Sequence, residues 1–160
     1  MRWIWIDKFT EFTPRTSATA VKNVSLAEEH LHDLYPDFPI VPHSLIVEGM
    51  AQTAGILVGE ASEFAEKVIL AKIGRATFHR LSRPGDTLVF AAKIEQFSEQ
   101  GASASGIVTS GGQLVAEIEL MFSHIDQNMA GLKFPEHNFV FTEQFTELLK
   151  TYRTASAVSI

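Results

Sequence analysis

Residues 44–58 (SLIVEGMAQTAGILV) are apolar almost all the way round a helical turn, and Glu48 is their one charged side chain. At 3.6 residues per turn, Leu45, Glu48, Gln52 and Gly55 fall close to one face, while Ile46, Val47, Met50, Ala51 and Ala54 cover much of the rest. A helix of this kind has to be wrapped by protein, and Gly49, Ala51, Ala54 and Gly55 would let a sheet or a partner helix approach closely. Residues 59–66 (GEASEFAE) read as its polar exit. Ahead of it the segment 28–43 (EEHLHDLYPDFPIVPH) carries Pro36, Pro39 and Pro42, which forbid regular helix and stiffen the loop.

Elsewhere the rhythm is that of strands. Residues 17–24 alternate, and residues 3–9 suit an edge strand or a docked N-terminal arm. Residues 68–79 read as one long strand, or two broken near Gly74. The turn Arg83-Pro84-Gly85-Asp86 precedes an alternating run, 88–94. Residues 101–110 are small-sided, Gly111-Gly112 makes a hairpin turn, and in 114–123 Leu114, Ala116, Ile118, Leu120 and Phe122 alternate with the intervening residues. One buried helix followed by about four long antiparallel strands predicts an α+β fold, a curved sheet around a central helix. Residues 1–125 form that domain, and residues 126–160 are expected to be a C-terminal extension packed on it. The extension begins irregularly (126–138), carries a short amphipathic helix over 142–152 with Phe145, Leu148, Leu149 and Tyr152 on one stripe, and ends in a loose tail.

Composition narrows the function classes. A chain of 160 residues, 46% apolar and 20% charged, suits one folded domain. No apolar run is long enough to span a membrane, and the N-terminus lacks the features of a signal peptide. The absence of cysteine removes disulfides and thiolate chemistry and makes the cytoplasm the default compartment. A net charge of −6 argues against general nucleic-acid binding. Between Glu66 and Asp86 there is no acid, whereas Lys67, Lys72, Arg75, Arg80 and Arg83 all fall there beside His79. This basic run suits an anionic partner such as a phosphorylated carrier arm or an acidic carrier protein; a solvated strand face explains it equally well.

Candidate chemistry centres on Glu48. A carboxylate inside a buried helix must be paired, hydrogen-bonded or protonated, and an acid held protonated can donate to a leaving hydroxyl. A structural acid bonded to backbone or to a nearby imidazole is the alternative. His30, His32, His43 and His79 are candidate partners, with His43 directly before the helix, where free N–H groups favour developing negative charge. Surface or capping roles suit these histidines as well. Ser44 lacks the setting of a nucleophile and reads as an N-cap. No metal-binding spacing, nucleotide-binding motif or other cofactor signal is present, and none is expected.

Two stretches carry a family resemblance: YPDFPIVPHSLIVEGMAQTAGIL (35–57), and KIGRATFHRLSRPGDTLVF with SGGQLVAEIELMFS (72–90 and 110–123). With the weaker AVKNVSL (20–26), the chain resembles the (3R)-hydroxyacyl-[acyl carrier protein] dehydratases over residues 4–124. The resemblance implies a hot-dog fold and a homodimer or a higher oligomer of dimers, with sites between subunits that hold a carrier- or coenzyme A-bound acyl thioester. In that family a histidine removes the proton beside the thioester, an acid assists departure of the hydroxyl, and amides at the helix start polarise the carbonyl. Glu48 falls on the acid position and Gln52 on the following glutamine, a positioning residue; Pro42 and Ser44 fall at the substrate-binding helix start. Lys72, Arg75, Arg80 and Arg83 are the candidate carrier-docking cations. The family's His-Phe-Pro is here Leu34-Tyr35-Pro36, its preceding glycine is Asp33, and its Pro-Gly is Pro42-His43. Leu34 cannot accept a proton. Three expectations follow: dehydration with His32 or His43 as a relocated base, thioester hydrolysis with Glu48 activating water, or an acyl-binding subunit with little catalysis.

Overall fold

A computed structural model describes residues 3–125, 131 and 135–158. The elements run β1 (Lys8–Thr13), β2 (Ser17–Asn23), a one-turn helix α1 (His30–Asp33), the long helix α2 (His43–Glu60), β3 (Val68–Phe78), β4 (Thr87–Ser98), β5 (Gly101–Ser110), β6 (Gln113–His124) and α3 (Glu143–Val158). Six antiparallel strands form one sheet in the order β1-β2-β4-β5-β6-β3, and α2 packs against β2 to β6. This is the hot-dog arrangement expected from the sequence.

Close approach of helix and sheet rests on glycine. A Cβ built on Gly49 would lie 2.4 Å from Phe90 Cζ, and one on Gly106 of β5 would lie 2.1 Å from Met50 Sδ. The helix thus settles onto β4 and β5 through two positions without side chains, and Phe90, Met50, Ile46 and Leu57 are fully buried between the layers. On β6, Ala116, Ile118, Leu120 and Phe122 face α2 as the alternation predicts. The pattern breaks at Leu114, which is exposed, while Val115 is buried, because the β5–β6 register shifts between Val108 and Thr109. β3 is one strand, and its pairing with β6 shifts at two places, between Leu70 and Lys72 and between Ile73 and Arg75, so the expected break at Gly74 is a bulge. Gly111 and Gly112 adopt φ +57° and +76°, the left-handed pair that a two-residue hairpin turn requires.

Residues 3–7 are a docked arm that leads into the edge strand β1, whose ladder with β2 runs from Lys8, in line with the two forms expected of this segment. Two expectations are corrected. Pro42, not Ser44, is the N-cap of α2, with ψ 140° and its carbonyl accepting from Leu45 N–H at 2.9 Å; Ser44 is the second helical residue and is exposed. The C-terminal tail is not loose up to Val158: α3 continues, with Thr154 and Ser156 hydroxyls donating to the carbonyls of Lys150 and Tyr152. Most of the irregular start of the extension, at 126–130 and 132–134, lies outside the described residues. Leu149 of α3 is buried, and Phe145, Leu148 and Tyr152 pack against the core, so the amphipathic stripe is real.

Candidate functional site

The helical spacing of Glu48, Gln52 and Gly55 brings all three onto one cavity. It measures about 260 Å³ and is otherwise walled by apolar groups: Ala51 and Ile56 of α2, Val68 to Leu70 of β3, Phe122 of β6, and Val140, Phe141 and Phe145 of the C-terminal segment. Glu48 is half-buried there, less enclosed than the sequence implies.

Gln52 fixes the carboxylate. Its side-chain NH₂ donates to Glu48 Oε1 at 2.7 Å and to the Trp3 carbonyl at 3.3 Å. Its oxygen accepts from Trp5 N–H at 2.8 Å and Ile6 N–H at 3.4 Å. Every hydrogen-bonding direction of this buried amide is therefore used, so it cannot turn without stranding backbone groups. The N-terminal arm, invisible as a regular element in the sequence pattern, is what orients Glu48 through Gln52. The sequence signal for it was only the pair Trp3 and Trp5, whose rings lie 5.1 Å apart.

The histidines lie elsewhere. His30 Nε2 is 3.4 Å from Glu28 Oε2 and its ring meets Trp5 edge-on. His32 Nε2 contacts the Leu26 carbonyl at 2.5 Å. His79 Nε2 pairs with Glu117 at 2.9 Å on the outer surface. His43 opens α2, exposed, with its ring stacked at 3.9 Å on Phe78. It precedes Glu48 by five residues, a rotation of about 140° and a rise of about 7.5 Å, which puts the two on different faces of the helix. None of the four lines the cavity.

The chain matches the FabA-like domain over residues 3–119. The 3-hydroxyacyl-[acyl-carrier-protein] dehydratase FabZ of Caldanaerobacter subterraneus subsp. tengcongensis is 35% identical over 121 residues, covering 75% of this chain and 86% of that protein. The dehydratase of the same name from Listeria welshimeri is 34% identical over 125 residues, with 78% and 87% covered. The chain belongs to the FabA-like family of hot-dog dehydratases. Among solved structures, the dehydratase heterocomplex ApeI:P from Xenorhabdus doucetiae aligns with TM-score 0.61 at 15% identity, over 76% of this chain and 82% of the other. The smu.793 protein of Streptococcus mutans bound to acetyl CoA aligns with TM-score 0.61 at 13% identity, over 77% and 91%. At these identities the two structures speak for the fold alone.

Against that FabA-like background, Leu34 follows α1 directly and is exposed (55%), as are Tyr35 (49%) and Phe38 (46%). The basic run is partly neutralised: the strand register sets Arg75 against Glu119 at 2.7 Å, and within the segment between β3 and β4 Arg80 reaches Asp86 at 3.3 Å. Arg83 lies 4.6 Å above the Phe38 ring, and Lys72 is exposed on β3. Exposed ion pairs of this kind leave less net positive field than five clustered cations suggest. Among the described residues no group of acids and histidines is placed to hold a metal, and no helix is long and apolar enough to cross a membrane.

Proposed function

We propose that this FabA-like chain is an acyl-thioester-binding hot-dog subunit that has no proton-abstracting base of its own. The observation that carries this reading is the cavity: one acid and one amide at its polar end, hydrocarbon around the rest, and, among the described residues, no imidazole in its wall. A carboxyl positioned by Gln52 can hydrogen-bond a hydroxyl or carbonyl near the head of an acyl chain while the chain takes the apolar volume. Dehydration needs a second group to remove a proton, and Leu34 occupies the position that resembles the family's base. The acyl group would arrive on an acyl carrier protein or coenzyme A, with Lys72, Arg75, Arg80 and Arg83 the candidate contacts for an anionic carrier and Pro42 and Ser44 at the helix start beside the thioester. We place the working unit as a homodimer or an assembly of dimers, or as the partner of an active relative.

The test is to mix the purified protein with 3-hydroxyacyl and enoyl thioesters while following binding, their interconversion and release of free thiol. Binding that Glu48→Gln weakens, with neither reaction above background, is expected. Leu34→His, whose imidazole would have to act across the subunit interface that the resemblance implies because Leu34 lies outside this cavity's own wall, should then raise interconversion by about 10²-fold or more, in a Glu48-dependent way. Interconversion by the parent protein that is lost in Glu48→Gln and in one variant of His32 or His43 would replace this reading with dehydration by a relocated base. Glu48-dependent thiol release would replace it with hydrolysis. Absence of binding to every thioester would overturn the acyl site altogether.

A further inference from the structure

The cavity's polar end belongs to the part of the chain that matches the FabA-like domain, residues 3–119, but its opposite wall does not. Val140, Phe141 and Phe145 come from the C-terminal segment. The Phe141 ring sits against Gly59, where a Cβ would lie 2.5 Å from its Cζ, and against Phe64 with ring centroids 5.1 Å apart. Gly59 is eleven residues beyond Glu48, about 16 Å along the helix axis. Phe141 therefore stands at the far end of the groove from the acid.

Its placement is over-determined. The Asn138 amide donates to the carbonyls of Phe64 at 2.9 Å and Glu66 at 3.1 Å, and its oxygen accepts from Val140 and Phe141 N–H, each at 3.0 Å. Arg153 of α3 pairs with Glu60 at 2.6 Å, and Leu149 is buried. A segment held at both ends of its turn and by its helix acts as a fixed wall.

We infer that Phe141, seated by Asn138, is the chain-length determinant of this site: it closes the end of the acyl groove and limits the ligand to a short or medium acyl chain. The inference rests on the acyl-binding reading above. The cavity, of about 260 Å³, is bounded on that side by the Phe141 ring. Affinity should rise with each added methylene until the chain meets the phenyl ring and fall beyond it. Phe141→Ala opens space for further carbons, and Asn138→Ala lets the wall retreat without changing any lining side chain.

The experiment measures binding of a saturated acyl-thioester series, from four to sixteen carbons, by full-length parent, Phe141→Ala, Phe141→Leu and Asn138→Ala proteins, each checked for cooperative unfolding. In the parent, affinity is expected to pass through a maximum within the series and fall for the longest chains. Phe141→Ala should move the peak to longer chains and improve binding of the longest by about tenfold or more, with Phe141→Leu shifting less, so a folded variant remains if alanine is not tolerated. Asn138→Ala should broaden the profile, whereas a merely structural role would lower all affinities together and leave the peak in place. An unmoved peak in the folded variants overturns the inference while leaving the acyl site standing. No binding of any chain by the parent removes the acyl site, and the inference with it.

Discussion

Replacing Gln52 by alanine would test whether one amide anchors both the N-terminal arm and the acid. Only 7% of the residue is exposed, so water has little access to the groups it satisfies. Without it the Trp5 N–H, bonded at 2.8 Å, loses its acceptor, and a buried donor left unpaired costs about 1–3 kcal/mol. The Ile6 N–H shares that acceptor at 3.4 Å and contributes less. The volume vacated by the side chain adds a further penalty, offset by the few tenths of a kcal/mol that alanine gains in helix propensity. The sum is about 2–4 kcal/mol, which at about 2–4 °C per kcal/mol for a chain of this size is a fall in Tm on the order of 5–15 °C. Urea unfolding followed by circular dichroism gives the first figure and a thermal scan the second. Gln52→Glu is the informative companion: it keeps an oxygen for Trp5 N–H, removes the donor to Glu48, and sets two carboxylates one turn apart. It should spare much of the stability near pH 4, where carboxyls begin to protonate, and lose it towards neutral pH. If Gln52→Ala unfolds within about 0.5 kcal/mol of the parent, the arm is held by something else and the proposed coupling to Glu48 is wrong.

Gly49→Ala drives a methyl into the buried Phe90 ring, so a loss of about 1–3 kcal/mol is expected in urea unfolding; Gly106→Ala, which meets the flexible thioether of Met50, should cost less. On the solvent face, the Ser105 hydroxyl, at 2.6 Å, and secondarily Lys93 hold the Glu95 carboxyl below its ordinary pKa. A lowered folded-state pKa contributes stability that is present above the unfolded value and lost as pH falls through the folded one. Ser105→Ala should therefore raise the Glu95 titration midpoint in carboxyl NMR and shrink that acid-side loss.

Much of the architecture was legible because it follows from local rules. The run 44–58 has too few polar groups to be anything but a core helix, and the hairpin at Gly111-Gly112 needs the two positive φ values that glycine supplies. The face carrying Glu48, Gln52 and Gly55 was likewise readable from 3.6-residue spacing, and the cavity lies along it. What the sequence left undecided was set by contacts distant in sequence. The arm at residues 3–7 has no period of its own, since its backbone is satisfied in part by a side chain on α2, 46 to 49 residues away. The far wall of the cavity depends on Asn138 reaching carbonyls 72 and 74 residues back, which no pattern in the extension announces. The basic run looked stronger as a linear segment than as a folded one, because only the β3–β6 register sets Glu119 against Arg75.

The two polar residues of the cavity stand on different physical footings, and the difference bears on function. Gln52 has a structural duty that would persist in a protein with no ligand at all, because the arm needs its amide. Glu48 has no such duty: its one hydrogen-bond partner among the described residues is Gln52, whose NH₂ also has the Trp3 carbonyl. An alanine at 48 would leave the arm's bonds intact and relieve a half-buried carboxyl of its desolvation. Leu34 presents the converse case, an exposed position where exchanging imidazole for isobutyl touches little of the core. The fold is thus indifferent to both changes, so stability explains neither the acid at 48 nor the hydrocarbon at 34. On the acyl-binding reading proposed above, Glu48 serves a group that enters the cavity and accepts or donates a hydrogen bond there. On that argument Glu48→Ala should leave the protein as stable as the parent, or more so, in the same urea assay. A loss above about 1 kcal/mol would make it a framework residue after all.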